Sequence, residues 1–148
     1  MRLLYNILFP VFFLFAAPFY FWKLVRRGNW LEGFGQRLGS YGSLRADLKD
    51  KRVLWLHAVS VGEANLAIQL VNELRRELEG WTYIVSTTTT TGMGVLQSKL
   101  PENVRAVYYP IDWLPFVKFA FRALNPSAVV LVEAEIWPNL FWEANRGK

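Results

Sequence analysis

The 148-residue chain has no cysteine and a single histidine, His57. Disulfides, thiolate metal sites and dithiol redox pairs are therefore excluded, and a histidine-based zinc site or a Ser-His-Asp triad has little material to work with. The lack of cysteine fits a reducing compartment. Acidic residues are also few. Seventeen Lys and Arg against twelve Asp and Glu leave a net charge of +5, with Arg2, Lys23, Arg26, Arg27 and Arg37 gathered towards the N-terminus. No basic stripe is interleaved with stacking aromatics on a nucleic-acid module, so the excess reads as membrane topology and solubility, and nucleic acid is not an expected partner. The length suits one domain with a real core and is short for a two-domain enzyme.

Polarity is scarcest at the start. Between Leu3 and Trp22 the only strongly polar residue is Asn6, and a run of about twenty apolar residues matches the hydrocarbon thickness of a bilayer. Pro10 and Pro18 interrupt this run, and Phe19, Tyr20, Phe21 and Trp22 crowd its end beside Lys23, Arg26 and Arg27. The pattern predicts a membrane helix over residues 1–27 that spans the bilayer or lies kinked in one leaflet, with the domain after it on the cytoplasmic side. Ala16-Ala17 is followed by Pro18 and aromatics, which argues against a cleaved leader. Residues 28–52 read as a glycine-rich connector. Gly33, Gly35 and Gly39 are off by one from a dinucleotide fingerprint and follow no strand, so that motif is rejected. Either the backbone amides and Arg37 hold an anionic head group, or the segment is a flexible linker packed on Trp30 and Phe34.

From residue 53 to 148 strands and helices alternate. Val53 to Val59 is an apolar, β-branched and aromatic run typical of a strand buried on both faces. Ala67, Leu70, Val71, Leu74 and Leu78 then recur at helical spacing, with Glu73, Arg75, Arg76, Glu77 and Glu79 largely opposite. Further strands are expected at Trp81–Ser86, Val104–Tyr109 and Ala128–Val132. A threonine loop from Thr87 leads to a short helix ending at Leu100, and a second helix is opened by Pro115 and stopped at Asn125-Pro126. Four βα units in series imply an α/β fold with a parallel, Rossmann-like sheet and right-handed crossovers. In such a sheet Ser60–Glu63, Ser86–Gly92, Pro110–Asp112 and Glu133–Glu135 all emerge at the carboxyl edge, where ligands bind.

The chemistry is expected at these junctions. Glu63 and Glu133 are two carboxylates that can share one crevice, an arrangement by which acid-base and electrostatic roles are divided; a Glu in the first helical turn is, on the other hand, more often a cap or dipole partner. Ser60-Val61-Gly62 is small and tight, and no apolar neighbour in sequence demands that glycine unless a ligand approaches the backbone. Thr88 and Thr90 belong to a run that either cradles an anion or caps the following helix. Glu133 and Glu135 alternate on a strand end, which points them to opposite faces and disfavours a shared metal. His57, inside a strand, reads as a satisfied core residue or one supporting the site.

Four motifs, in this order and spacing, carry a resemblance: His57-Ala-Val-Ser60-Val-Gly62-Glu63, Ser86-Thr-Thr-Thr-Thr-Thr-Gly92, Tyr109-Pro110-Ile-Asp112 and Glu133-Ala-Glu135-Ile-Trp137-Pro138-Asn139. Together they resemble the N-terminal half of the Kdo transferases, which move 3-deoxy-D-manno-octulosonic acid (Kdo) from its CMP ester to the lipid A precursor in lipopolysaccharide synthesis. The resemblance extends over essentially the whole chain, including the N-terminal anchor and the Glu32-Gly-Phe-Gly-Gln-Arg-Leu-Gly39 segment. It implies the acceptor-binding lobe of an inverting, two-lobed GT-B glycosyltransferase at the cytoplasmic face of a bacterial inner membrane. In that reading Glu63 is the general base and Glu133 stabilises the transition state. Ser60, Gly62, Arg37, Thr88 and Thr90 are the candidates for contact with the acceptor. Neither a cofactor nor a divalent metal is implied, the donor being CMP-Kdo. The family continues beyond the motifs present here into a donor lobe, so the chain is expected to be a fragment, inactive by itself. The alternatives are another lipid-linked GT-B glycosyltransferase and a non-catalytic membrane-associated binding module.

Overall fold

The computed structural model describes residues 1–26, 31–133 and 136–146. Helix α1 (Arg2–Arg26) is followed by two short helices, α2 (Phe34–Arg37) and α3 (Gly42–Asp47). The alternating part runs β1 (Arg52–His57), α4 (Val61–Glu77), β2 (Trp81–Thr87), α5 (Thr90–Lys99), β3 (Arg105–Tyr108), α6 (Leu114–Leu124), β4 (Pro126–Leu131) and α7 (Pro138–Ala144). All four strands are parallel, in the order β3-β2-β1-β4.

That order follows from two moves. The chain steps outward from β1 to β2 to β3, then crosses back to the far side of β1 for β4. The helices divide accordingly, because residues alternate between the faces of a strand. Leu54 and Leu56 of β1 pack with Ala64, Ala67, Ile68 and Val71 of α4 and Leu96 of α5 on one face. Val53 and Trp55 pack with Tyr41, Leu48, Ala120, Leu124 and Leu140 on the other. The result is a three-layer α/β unit, and the direction of winding reverses between β1 and β4. A reversal of this kind leaves a gap at the carboxyl ends of the two strands, since their following loops turn away from each other.

The strand boundaries differ from the sequence expectation by one or two residues, and three local differences have physical causes. The face of α4 that is buried is set by Ala64, Ala67, Ile68 and Val71, while Leu70 and Leu78 stay 37 % exposed; small alanines let the helix sit close to the sheet and rotate the larger leucines outward. Helix α1 runs unbroken through Pro10 and Pro18. Each proline removes one backbone donor, and the flanking turns carry the helix past it.

The glycine-rich segment, thirdly, is not a flexible loop where it is described, since α2 and α3 form within it and Tyr41 and Leu48 enter the core. Two of its glycines serve close approach. A Cβ on Gly33 would lie 1.8 Å from the Tyr108 ring, and one on Gly39 would lie 2.4 Å from the Phe116 carbonyl oxygen; both residues have positive φ, 65° and 83°. The segment is thereby pinned to β3 and α6. Gln36 Oε1 accepts a 2.7 Å bond from the Tyr108 N–H, and Arg37 O accepts from Ile111 N–H. Trp30, on which packing was expected, lies outside the described residues.

Candidate active site

The site is built at the carboxyl ends of β1 and β4. After His57 the chain leaves the sheet, and Ser60, extended at φ −94° and ψ 168°, caps α4. Its Oγ accepts from the Glu63 N–H at 3.2 Å, while the Glu63 carboxylate reaches back to accept from Ser60 N–H at 3.3 Å and, more tightly, from Val59 N–H at 2.7 Å. This is a capping box with one additional donor. Burial raises the Glu63 carboxyl pKa, but the Val59 and Ser60 hydrogen bonds and nearby His57 outweigh it, so the group lies below the usual range. A carboxylate held this way is ionised at neutral pH and fixed in place. Glu63 is thus the helix cap that a first-turn glutamate was expected to be, with both carboxylate oxygens on backbone amides.

Gly62 is exposed, and the nearest atom a Cβ there would meet is Ser60 Oγ at 3.7 Å. Packing does not require glycine at this position; open space lies in front of it. Ser60 is exposed beside it.

Glu133 lies on the adjoining strand end. The Val132 N–H donates to His57 O at 2.9 Å, which continues the β1–β4 ladder one step past β4 and puts Glu133 next to the β1–α4 turn. Glu133 is exposed and adopts φ 81°. A non-glycine residue in the left-handed region is strained. Because the strand has already ended, the strand alternation expected to separate Glu133 from Glu135 does not operate at Glu133; Glu135 itself lies outside the described residues. Strand β4 is half-exposed, being an outer strand of the sheet among the described residues.

Under this edge lies a network that the sequence did not single out. Ser86 Oγ accepts from Trp55 Nε1 at 2.8 Å, pairs with His57 Nδ1 at 2.9 Å and donates to Leu56 O at 3.3 Å. With the serine hydrogen on Leu56 O, the pattern assigns the proton of His57 to Nδ1. Its Nε2 is buried with no hydrogen-bond partner among the described residues. Burial pushes the imidazole down to about 4, against the pull of Ser86 and Glu63. Tyr109 stacks on the His57 ring at 4.1 Å between centroids and also meets Trp137. The signal for this network was present as the Tyr109-Pro110-Ile-Asp112 motif, but sequence alone did not show that Tyr109 leans on His57.

The threonine run caps more than it cradles. Thr89 Oγ1 accepts from Gly92 N–H at 3.0 Å, and α5 begins at Thr90, so part of the expected loop is helix. A Cβ at Gly92 would come within 2.6 Å of Thr87 Oγ1 and 2.8 Å of Thr89 Oγ1. Arg37 and Thr88 are brought together: Arg37 Nη1 donates to Thr88 O at 2.9 Å, and the guanidinium lies 4.2 Å over the Tyr108 ring. Arg37 therefore ties α2 to the carboxyl edge. Thr90 is half-buried at the start of α5. Two shallow depressions, one at Leu44, Lys51, Trp81 and Arg105 and one at Arg45, Asp50, Arg122 and Asn125, lie at the opposite, amino edge and hold none of these residues.

The fold defines an α/β domain with Glu63 and Glu133 in the two segments that follow adjacent strands at a topological switch point. Residues 32–148 match the family described as 3-deoxy-D-manno-octulosonic-acid transferase (kdotransferase), and the chain belongs to that family. It is similar to the 3-deoxy-D-manno-octulosonic acid transferase of Chlamydia trachomatis serovar D, with 28% identity over 146 residues, 97% of this chain and 33% of the relative. A second relative is the enzyme of that name from Rickettsia bellii, 32% identical over 97 residues, 65% of this chain and 23% of the relative. A third is a probable mitochondrial 3-deoxy-D-manno-octulosonic acid transferase of Arabidopsis thaliana, 29% identical over 120 residues, 81% of this chain and 27% of the relative. The chain thus spans about a quarter to a third of the length of these relatives. No solved structure matches it.

Proposed function

We propose that the full-length protein transfers Kdo from CMP-Kdo to a lipid A precursor with inversion, and that this chain supplies the acceptor side of a two-lobed GT-B enzyme. The observation that carries the reading is the placement of Glu63, in the first turn of the helix after β1, and Glu133, just past β4, at the reversal point of the sheet. An acceptor sugar hydroxyl attacks the anomeric carbon of the donor, its proton passes to the Glu63 carboxylate, and the bond to the CMP phosphate breaks. Glu63 suits the base role because it is ionised, held by the Val59 and Ser60 amides and set beside an exposed glycine. Glu133 supplies negative charge against the positive character that develops at the anomeric centre. Ser60, Gly62, Arg37, Thr88 and Thr90 are the proposed acceptor contacts, with Arg37 and Thr88 joined to each other. The family match supports a Kdo-transferring glycosyltransferase at the cell envelope; the lipid A acceptor and the cytoplasmic face of the inner membrane belong to the proposal.

Two variants test it in the full-length protein. Glu63→Gln retains one carbonyl acceptor for the α4 cap and removes the base. The reading expects CMP-Kdo turnover to drop by about 100-fold to 10,000-fold with a stability loss of about 1 kcal/mol. A loss of stability with turnover within a few-fold of normal would leave Glu63 a cap and nothing else. Gly62→Ala meets no packing obstacle, so its melting temperature should hold; a raised KM for acceptor at unchanged kcat would place the acceptor against that backbone, and unchanged kinetics would remove Gly62 from the contact set.

A further inference from the structure

The apolar N-terminal helix is fastened to the α/β body at its beginning, not only tethered at its end. The Asn6 and Asn139 side chains form a reciprocal amide pair, each Nδ2 donating to the other's Oδ1 at 3.0 Å. Asn6 Oδ1 also accepts from Leu114 N–H at 3.2 Å, at the start of α6. Tyr5 OH donates to Asp112 Oδ2 at 2.9 Å, and Arg2 pairs with Glu143 of α7. Asp112 is 1 % exposed and also takes Tyr109 OH and the Asn139 and Leu140 amides. The one polar residue inside the apolar run is therefore a docking residue. The half-buried side chains of α1 continue this stripe through Phe9, Pro10, Phe13 and Ala16-Ala17 at helical spacing.

Chain reach then fixes the orientation. Helix α1 has 25 residues, about 37 Å at 1.5 Å per residue. Its far end returns to the body quickly: from Arg26 to Gly33, which is pressed against the Tyr108 ring, the backbone can span at most about 25 Å. A hydrocarbon core is about 30 Å thick. With its first turns bound to the body, α1 cannot carry Arg26 across a bilayer and still allow Gly33 to reach Tyr108.

We propose that α1 is an in-plane, interfacial helix, clamped to the body by Asn6–Asn139 and Tyr5–Asp112, and that its outward face is covered by lipid. Leu4, Ile7, Val11, Phe15 and Trp22 on that face are each at least half exposed. Outside the half-buried stripe, the exposed large side chains from Leu3 round to Phe12 fan over about half of the helix circumference. A second copy would cover one stripe and leave the rest in water, whereas a bilayer covers all of it. Charge agrees: α1 contains Arg2, Lys23 and Arg26 and no acidic residue, and Arg26 lies 4.6 Å over the Trp22 ring, an arrangement suited to anionic head groups. The clamp and the chain length set this orientation whatever reaction the protein catalyses.

The cysteine-free sequence permits a direct test. Single cysteines replacing Leu4, Val11, Phe15 and Val25 in the full chain are spin-labelled, and their depths are measured in vesicles of phosphatidylethanolamine and phosphatidylglycerol. An in-plane helix gives a flat profile, all four labels at similar shallow depth. A profile deepest at Val11 and Phe15 and shallow at both ends would overturn the proposal, as would labels that stay in water while the chain sediments as a dimer. In an Asn6→Leu background, with folding checked by near-ultraviolet circular dichroism, the label at position 4 should change depth relative to position 25; an unaltered profile would show that the clamp does not set the orientation.

Discussion

Glu133 and His57 show how single residues near the site hold states that folding alone does not favour. Glu133 has φ 81°, where glycine is comfortable and glutamate is not. Glu133→Gly should therefore leave stability unchanged or raise it by up to about 1 kcal/mol while lowering turnover in the full-length protein. Paired melting curves and rates decide: a less stable Glu133→Gly protein with full turnover would make the residue structural. His57 is held neutral. An unfolded imidazole near 6.5 takes up a proton that the native one refuses until about 4, so the unfolded chain binds more protons between those values. Stability from this residue is complete above pH 6.5 and drains away as pH falls towards 4, by about 3 kcal/mol. The lowered Glu63 carboxyl acts in the same direction at lower pH, whereas burial raises Asp112 despite its four donors and acts in the opposite one. Denaturation midpoints at pH 7 and pH 4.5 should show the loss, and His57→Gln should flatten it.

Among the elements, the glycine-rich segment is the most instructive. Its glycines permit contact, so substitution should separate them by environment. Gly33→Ala places a methyl into the Tyr108 ring at positive φ and should cost about 2 kcal/mol or more. Gly94→Ala, inside α5 with nothing within 4 Å of the added Cβ, should stabilise by about 0.5–1 kcal/mol. Thermal melts of the two variants with opposite signs would confirm that α2 is docked; equal, small effects would mean that the segment detaches in solution.

For the molecule as a whole, α1 is both membrane element and part of the fold. Removing residues 1–27 should abolish vesicle binding, because it deletes the exposed apolar helix. It should also lower the melting temperature, because Asp112 loses Tyr5 and Asn139 loses Asn6. Tyr5→Phe isolates the second effect and should cost about 1.5–3 kcal/mol, the usual worth of a bond to a charged group. A truncated chain that melts like the original would show that the helix and body are independent.

Local patterns in the sequence were enough to establish the parallel α/β architecture, the apolar helix and the four loops at the carboxyl edge, because periodicity and turn chemistry are local and each strand and helix carries its own signal in residues such as Val53–His57 and Pro115–Asn125. They also placed Glu63 at a helix start, since the apolar period switches there from that of a strand to that of a helix. The return of β4 beside β1, which sets the segments carrying Glu63 and Glu133 after adjacent strands across a reversal of winding, emerged only in three dimensions. So did the meeting of Asn6 with Asn139 across 133 positions of sequence and the stacking of Tyr109 on His57. Such pairings depend on which surfaces the folded layers present to one another, and no local pattern encodes that.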